Sequence, residues 1–110
     1  MQVINISKKQ LNKNNYNNLL HWLEDPNHIY IGRNMNFYVE GANASKWQNP
    51  FTVKKYGLDD CLKLYEEYVR TNLYNDLDEL KGKIMGCWCI PNKCHGDILI
   101  KLFNEKNSNK

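Results

Sequence analysis

Short apolar runs of strand length alternate along this chain with stretches whose apolar residues recur at helical spacing, and that alternation admits few folds. Val3-Ile4-Asn5-Ile6 reads as a first strand. Tyr16, Leu19, Leu20 and Leu23 then recur at the spacing of a short amphipathic helix. Asp25-Pro26 stops it, because proline disfavours helical geometry in the residue before it. His28-Ile29-Tyr30-Ile31 is a second strand ended by Gly32, and Asn36-Phe37-Tyr38-Val39 is a candidate third. The clearest helix begins near Leu58, where Leu58, Cys61, Leu62, Tyr65, Tyr68, Val69 and Leu73 share a face and Asp59 and Asp60 suit the positive end of the dipole. Residues 76–80 offer a brief helical turn, residues 83–88 a last strand, and Ile98, Leu99, Leu102 and Phe103 the inward face of a closing helix. This order describes an α/β domain in layers, with a short, partly parallel sheet flanked by helices.

A chain of 110 residues has room for one core, here residues 1–106, with a polar tail from Asn104 onward that frays and is free of the domain over 107–110. Its formal charge of +3 comes from lysines and arginines that are scattered, not gathered on one face, so nucleic acid is not an expected partner. No stretch approaches the apolar length of a membrane span, and Met1-Gln2-Val3-Ile4-Asn5 lacks the organisation of a signal peptide. The expected compartment is therefore a reducing cytoplasm, where four cysteines suggest metal binding or reactivity over disulfides.

Three of those cysteines lie in Gly86-Cys87-Trp88-Cys89-Ile90-Pro91-Asn92-Lys93-Cys94-His95-Gly96-Asp97, where the last strand gives way to the last helix. Alternate residues share a face in a strand, so Cys87 and Cys89 point together and Trp88 away, with Pro91 ending the strand. Cys94 and His95 fall at the helix start, where free N–H groups and the dipole favour anions and an acidic thiol. Asp97 stands three residues after Cys94, close to a capping box although Asp replaces the usual Glu or Gln. Three readings stay open. Cys87, Cys89, Cys94 and His95 form a Cys₃His zinc site, against which stands the adjacency of Cys94 and His95. Alternatively the helix start is an anion pocket lined by Cys94, His95 and Asp97, with His95 beside a reactive thiol. In the third, the cysteines only pack the strand end and His95 and Asp97 cap the helix. His21, His28 and Cys61 read as structural.

Taken with Ile29-Tyr30-Ile31-Gly32-Arg33 and Ser45-Lys46-Trp47-Gln48-Asn49-Pro50-Phe51, that segment resembles, nearly end to end, the family known as domain of unknown function 4326. The family pattern also has a helix with Gly, Cys and Tyr at four-residue intervals. The helical segment at residues 19–23 and Gln48, where glycine is usual, depart from it. The resemblance implies a small Rossmann-like domain of bacteria, phages and large DNA viruses. It also groups Arg33, Lys46, Trp47, Asn49, Cys87, Cys89, Cys94, His95 and Asp97 as one candidate pocket.

The functional expectation is a cytoplasmic domain, in the host if viral, that binds a nucleotide-like or phosphorylated small molecule, with modification of that ligand left open. Arg33, Lys46, Trp47, Asn49 and Gly96 are its candidate ligand contacts, with Lys46 answering a phosphate and Trp47 either stacking on a ring or plugging the long loop. Asn49 before Pro50 also suits plain turn chemistry. Cys94, His95 and Asp97 are the candidate catalytic groups, with His95 as acid and base. No cofactor is required, zinc being the alternative on Cys87, Cys89, Cys94 and His95. The competing class is a binding module without catalysis, either a zinc-stapled interaction domain or a viral nucleotide sponge.

Overall fold

Strand β3 (Ile84–Cys87) lies between β1 (Gln2–Asn5) and β2 (His28–Tyr30) in a computed structural model that describes residues 1–88 and 93–108. Both pairings are parallel, with Gln2 and His28 opposite Ile84, and Asn5 opposite Cys87. A parallel sheet must bury both faces, and the alternation of side chains along the strands supplies two cores. Met85 and Cys87 join Ile31, Tyr65, Val69, Leu77, Leu80, Leu99 and Leu102 in one. Ile6, Leu11, Leu19, Trp22 and Tyr30 form the other, with Ile4 and Ile84 packed against them.

Helices α1 (Lys8–Lys13) and α2 (Leu19–Trp22) cover the second core. The first core is covered by α4 (Leu58–Asn72), which follows the one-turn α3 (Val53–Tyr56), by a 3₁₀ helix (Tyr74–Leu80), and by α5 (His95–Asn107). Parallel neighbours need crossovers, and these helices supply them. The result is three layers, helix, sheet and helix, as the alternation of apolar runs implies. Glycine makes the close approaches possible. A Cβ on Gly86 would lie 2.7 Å from Ile6 Cγ2 and 2.9 Å from the Trp22 ring, and one on Gly96 would lie 2.7 Å from Val3 Cγ2. On the surface, Arg70 of α4 pairs with Glu66 at 3.1 Å and with Glu105 of α5 at 2.6 Å. Its hydrogen bond to Glu105 holds that carboxyl below the usual carboxylate range.

Three expectations are corrected, and α1 is a helix that the sequence pattern does not reveal. Residues 36–39 form turns, not a strand. Asn34 Oδ1 accepts from the Asn36 amide at 3.1 Å, Asn36 Oδ1 accepts from Gly41 at 3.1 Å, and the Met35 carbonyl accepts from Val39 at 2.8 Å. These local bonds satisfy the backbone that a ladder would have needed, and Phe37 and Tyr38 are left exposed. Helix α1 has only Leu11 buried, too little to register as a periodicity. Strand β3 ends at Cys87, one residue short of the expected Trp88. Helix α5 carries residues 104–107 of the expected tail, with Lys106 bonded to Asp78 at 2.9 Å and Asn107 to the Phe103 carbonyl at 2.9 Å. Asn109 and Lys110 lie outside the described residues. No helix among the described residues is long and apolar enough to cross a membrane.

Gly86→Ala is expected to lose about 1–3 kcal/mol in urea denaturation, the usual cost of overpacking a filled core. A change within about 0.5 kcal/mol would contradict the tight seating of Ile6 and Trp22 against β3.

Candidate functional site

The end of β3 and the start of α5 bring two thiols and an imidazole together. Cys87 is the last residue of the strand, on the face that α4 and α5 cover. Cys94 is the N-cap of α5: its Sγ accepts from the Gly96 amide at 3.3 Å, while the Asp97 carboxylate accepts from the Cys94 amide at 3.3 Å. This is a complete capping box with sulfur where a hydroxyl is usual and Asp where Glu or Gln is usual. Cys87, Cys94 and His95 are all buried.

Their geometry centres on His95. Its Nε2 lies 2.8 Å from the Ile31 carbonyl oxygen, which only accepts, so Nε2 carries the hydrogen. In the neutral ring Nδ1 then presents its lone pair, 3.9 Å from Cys87 Sγ and 3.8 Å from Cys94 Sγ. The Tyr65 ring packs edge-on against the imidazole at 5.1 Å between centroids. Tyr65 Oη donates to the Trp47 carbonyl at 2.6 Å, and burial pushes this phenol far above its ordinary range. The three ligand atoms lie within 4.8 Å of one another, the spacing of a group able to hold a metal ion. Cys89, the fourth ligand of the zinc alternative, lies with Pro91 outside the described residues.

A cleft of about 530 Å³ opens beside this trio. It sits beyond the carboxyl ends of β2 and β3 and is lined by Gly32 and Arg33 from one, Cys87 and Trp88 from the other, and His95. Asn49 and residues 51–54 form part of its wall. Arg33 holds that wall: its Nε donates to the Asn49 carbonyl at 3.2 Å and its Nη2 to the Phe51 carbonyl at 2.8 Å. Cys61 of α4 holds it from behind, donating to the Phe51 carbonyl at 3.1 Å and accepting from Asn49 Nδ2 at 3.1 Å. Asn49 Oδ1 accepts from the Phe51 amide at 2.9 Å, the turn chemistry that an Asn before Pro suggests.

The candidate residues therefore separate. Arg33, Asn49, Cys87 and His95 line the cleft, with Cys94 against His95. Lys46 points elsewhere, 2.7 Å from Glu79 and 3.4 Å from Asp76, and its hydrogen bond to Glu79 holds its ammonium above the ordinary lysine value. Trp47 is 1% exposed in the first core, in the role of a plug. Gly96 and Asp97 belong to the packing and capping of α5. His28 stacks on Trp22 at 4.3 Å, and Cys61 is buried, both in structural positions. Lys54 and Lys93 line the cleft and were not singled out as candidates, since surface lysines, the Lys54-Lys55 pair included, carry no specific signal in sequence.

Comparison with known proteins places the chain. Residues 14–105 match the family described as domain of unknown function (DUF4326), and the chain belongs to it. It is 44% identical over 85 residues to uncharacterized protein R718 of Acanthamoeba polyphaga mimivirus, a match covering 68% of this chain and 65% of that protein. The chain thus spans about two-thirds of the length of that viral relative. No solved structure matches it.

The buried Tyr65 phenol sets an alkaline limit. Its folded pKa is raised, so its contribution to stability is fully present below the unfolded value of about 10 and is lost as pH rises beyond it. Stability measured by urea denaturation between pH 9 and about 11 should fall more steeply in the parent than in Tyr65→Phe. At neutral pH that variant should lose about 1–3 kcal/mol, because the Trp47 carbonyl loses its donor. Equal slopes would contradict the buried phenol.

Proposed function

We propose that this member of the domain-of-unknown-function family binds a nucleotide-like or phosphorylated small molecule in the cleft beyond β2 and β3. The observation that carries the reading is the lining: Arg33, Lys54 and Lys93 share it with Phe51, Leu58 and Trp88, and no carboxylate is among its described residues. Cations answer a phosphate, and Arg33 spends only two of its five N–H donors on the loop. Aromatic and aliphatic side chains answer a ring. A volume of about 530 Å³ falls within the range of roughly 300–1,000 Å³ typical of small-molecule pockets. Open parallel sheets bind ligands beyond the carboxyl ends of their strands, a fold-level analogy that favours the same place, as a Rossmann-like domain would.

In this reading Arg33, Lys54 and Lys93 meet the anion, while Lys46 and Trp47 fix the loop from the far side. Lys93 is shared with Asp59 at 3.4 Å, an exposed pair that a phosphate can outcompete. A reducing cytoplasm, the host's for a virus-borne copy, suits the buried cysteines Cys61, Cys87 and Cys94. Binding is the first claim and turnover the second: a sponge returns its ligand intact, and chromatography of the recovered ligand distinguishes it from an enzyme.

Thermal denaturation with AMP, ADP-ribose or inorganic phosphate tests the reading. A compound at about 100 times its Kd adds about 2.7 kcal/mol, a rise of several degrees in Tm. Lys54→Glu and Lys93→Glu, both at exposed positions, should cut that rise while leaving the ligand-free Tm within a degree or so. No rise with any of the three compounds would remove the proposal.

A further inference from the structure

We propose that the ligand of the cleft reaches past Trp88 into a second, smaller pocket, so that the two spaces together take a two-part phosphorylated molecule in which a phosphate or pyrophosphate joins two ring-bearing units. The inference rests on the cleft reading above and adds the ligand's second ring to it.

The second pocket lies beside the other core, where Ile6 follows β1 and where Leu11 of α1 and Leu19 of α2 form an apolar floor. Two elements belong to both spaces. Trp88, half-buried directly after β3, lines the cleft and the pocket alike. The turn after β2 gives Met35 to the cleft and Tyr38 and Glu40 to the pocket. Both elements are held in place. Trp88 Nε1 donates to Tyr30 Oη at 2.9 Å, and the Met35 amide donates to the carbonyl of the buried Ala42 at 2.7 Å. A fixed indole and a fixed turn thus stand where the two spaces meet, and a ligand that spans them passes over both.

Size makes the second pocket a subsite and not a site of its own. Its volume of about 240 Å³ falls below the roughly 300 Å³ at which small-molecule pockets begin, and leaves room for one ring. Charge decides which part of the ligand goes where. The cleft carries Arg33, Lys54 and Lys93 with no carboxylate among its described residues, whereas the pocket sets Glu40 against Lys8. The phosphate therefore belongs in the cleft. An uncharged ring bearing hydroxyl or amine groups suits the pocket, where Glu40 accepts and Asn18 and Lys8 donate. Tyr38 supplies the face for that ring. It is 78% exposed and packs edge-on against Phe37 at 5.1 Å between centroids. A large aromatic held at the surface by an ordered turn adds nothing to either core, and stacking on a ring is the use its exposed face offers.

Isothermal titration calorimetry with ADP-ribose and with its two halves, AMP and ribose 5-phosphate, reads the second pocket directly. ADP-ribose should bind at least about tenfold more tightly than either half, the usual effect of one well-placed ring. Tyr38→Ala and Glu40→Lys, both at exposed positions, should remove most of that gain while changing at most one of the halves. Lys54→Glu, on the cleft side, should weaken all three compounds. Without ligand, each variant should melt within a degree or so of the parent. ADP-ribose binding no more tightly than AMP overturns the second pocket and leaves the cleft reading standing. An equal loss for all three compounds in Tyr38→Ala overturns it as well, because the turn then acts only as a prop of the cleft. Binding of none of the three by the parent protein removes the cleft reading and this inference with it.

Discussion

The described residues are placed relative to β3, because among their strands it alone pairs on both sides. Its ladder to β1 and β2 fixes the three strands in one register, and its side chains alternate between the two cores. The strand is short, so each residue has one task. Met85 fills the core under α4 and α5. Gly86 clears space for Ile6 and Trp22. Cys87 ends the strand on the same face as Met85, which is why the thiol emerges beneath the start of α5 and not among α1 and α2. A slip of one residue in the pairing would exchange those faces and send the sulfur to the wrong layer.

The loop of residues 45–52, whose far end lines the cleft, would be expected to move, yet it is tied down on three sides. Trp47 is sunk in the core, and its carbonyl takes the Tyr65 hydroxyl. Cys61 bridges Asn49 and Phe51, and Arg33 reaches the same two residues from the strand end. Arg33 is thus structural, and Tyr30 and Trp88 support its position: Tyr30 Oη donates to the Arg33 carbonyl and accepts from Trp88 Nε1. Long loops in small domains are functional or disordered as a rule, and the buried aromatic decides between the two.

The layers were legible because strand and helix write different periods, and the sheet follows from three short apolar runs. What escaped had little hydrophobic content to betray it. Helix α1 buries a single leucine, and the turn at residues 36–39 carries apolar side chains that never enter a core. The site was legible in part. Cysteines and a histidine near a helix start announce themselves, and the family pattern drew Arg33 and Asn49 toward them. Lys46 and Trp47 are neighbours in sequence but serve opposite ends: one reaches the 3₁₀ helix while the other enters the core, and no motif says which way each turns. Least legible was the partner of His95, since a backbone carbonyl sixty-four positions away leaves no mark in the sequence.

The sulfur that begins α5 has a consequence of a mechanical kind. Serine would cap that helix better, because a hydroxyl is the stronger acceptor for the Gly96 amide, and it would leave the cluster one soft donor fewer, with Cys87 beside His95. With cysteine there, one atom belongs both to the helix cap and to the cluster around His95. Any event at Cys94, whether ligation, alkylation or oxidation, alters the first turn of α5. That helix touches β1, α4 and the 3₁₀ helix in turn. The chemical state of a single sulfur is thereby coupled to the seating of the helix it caps.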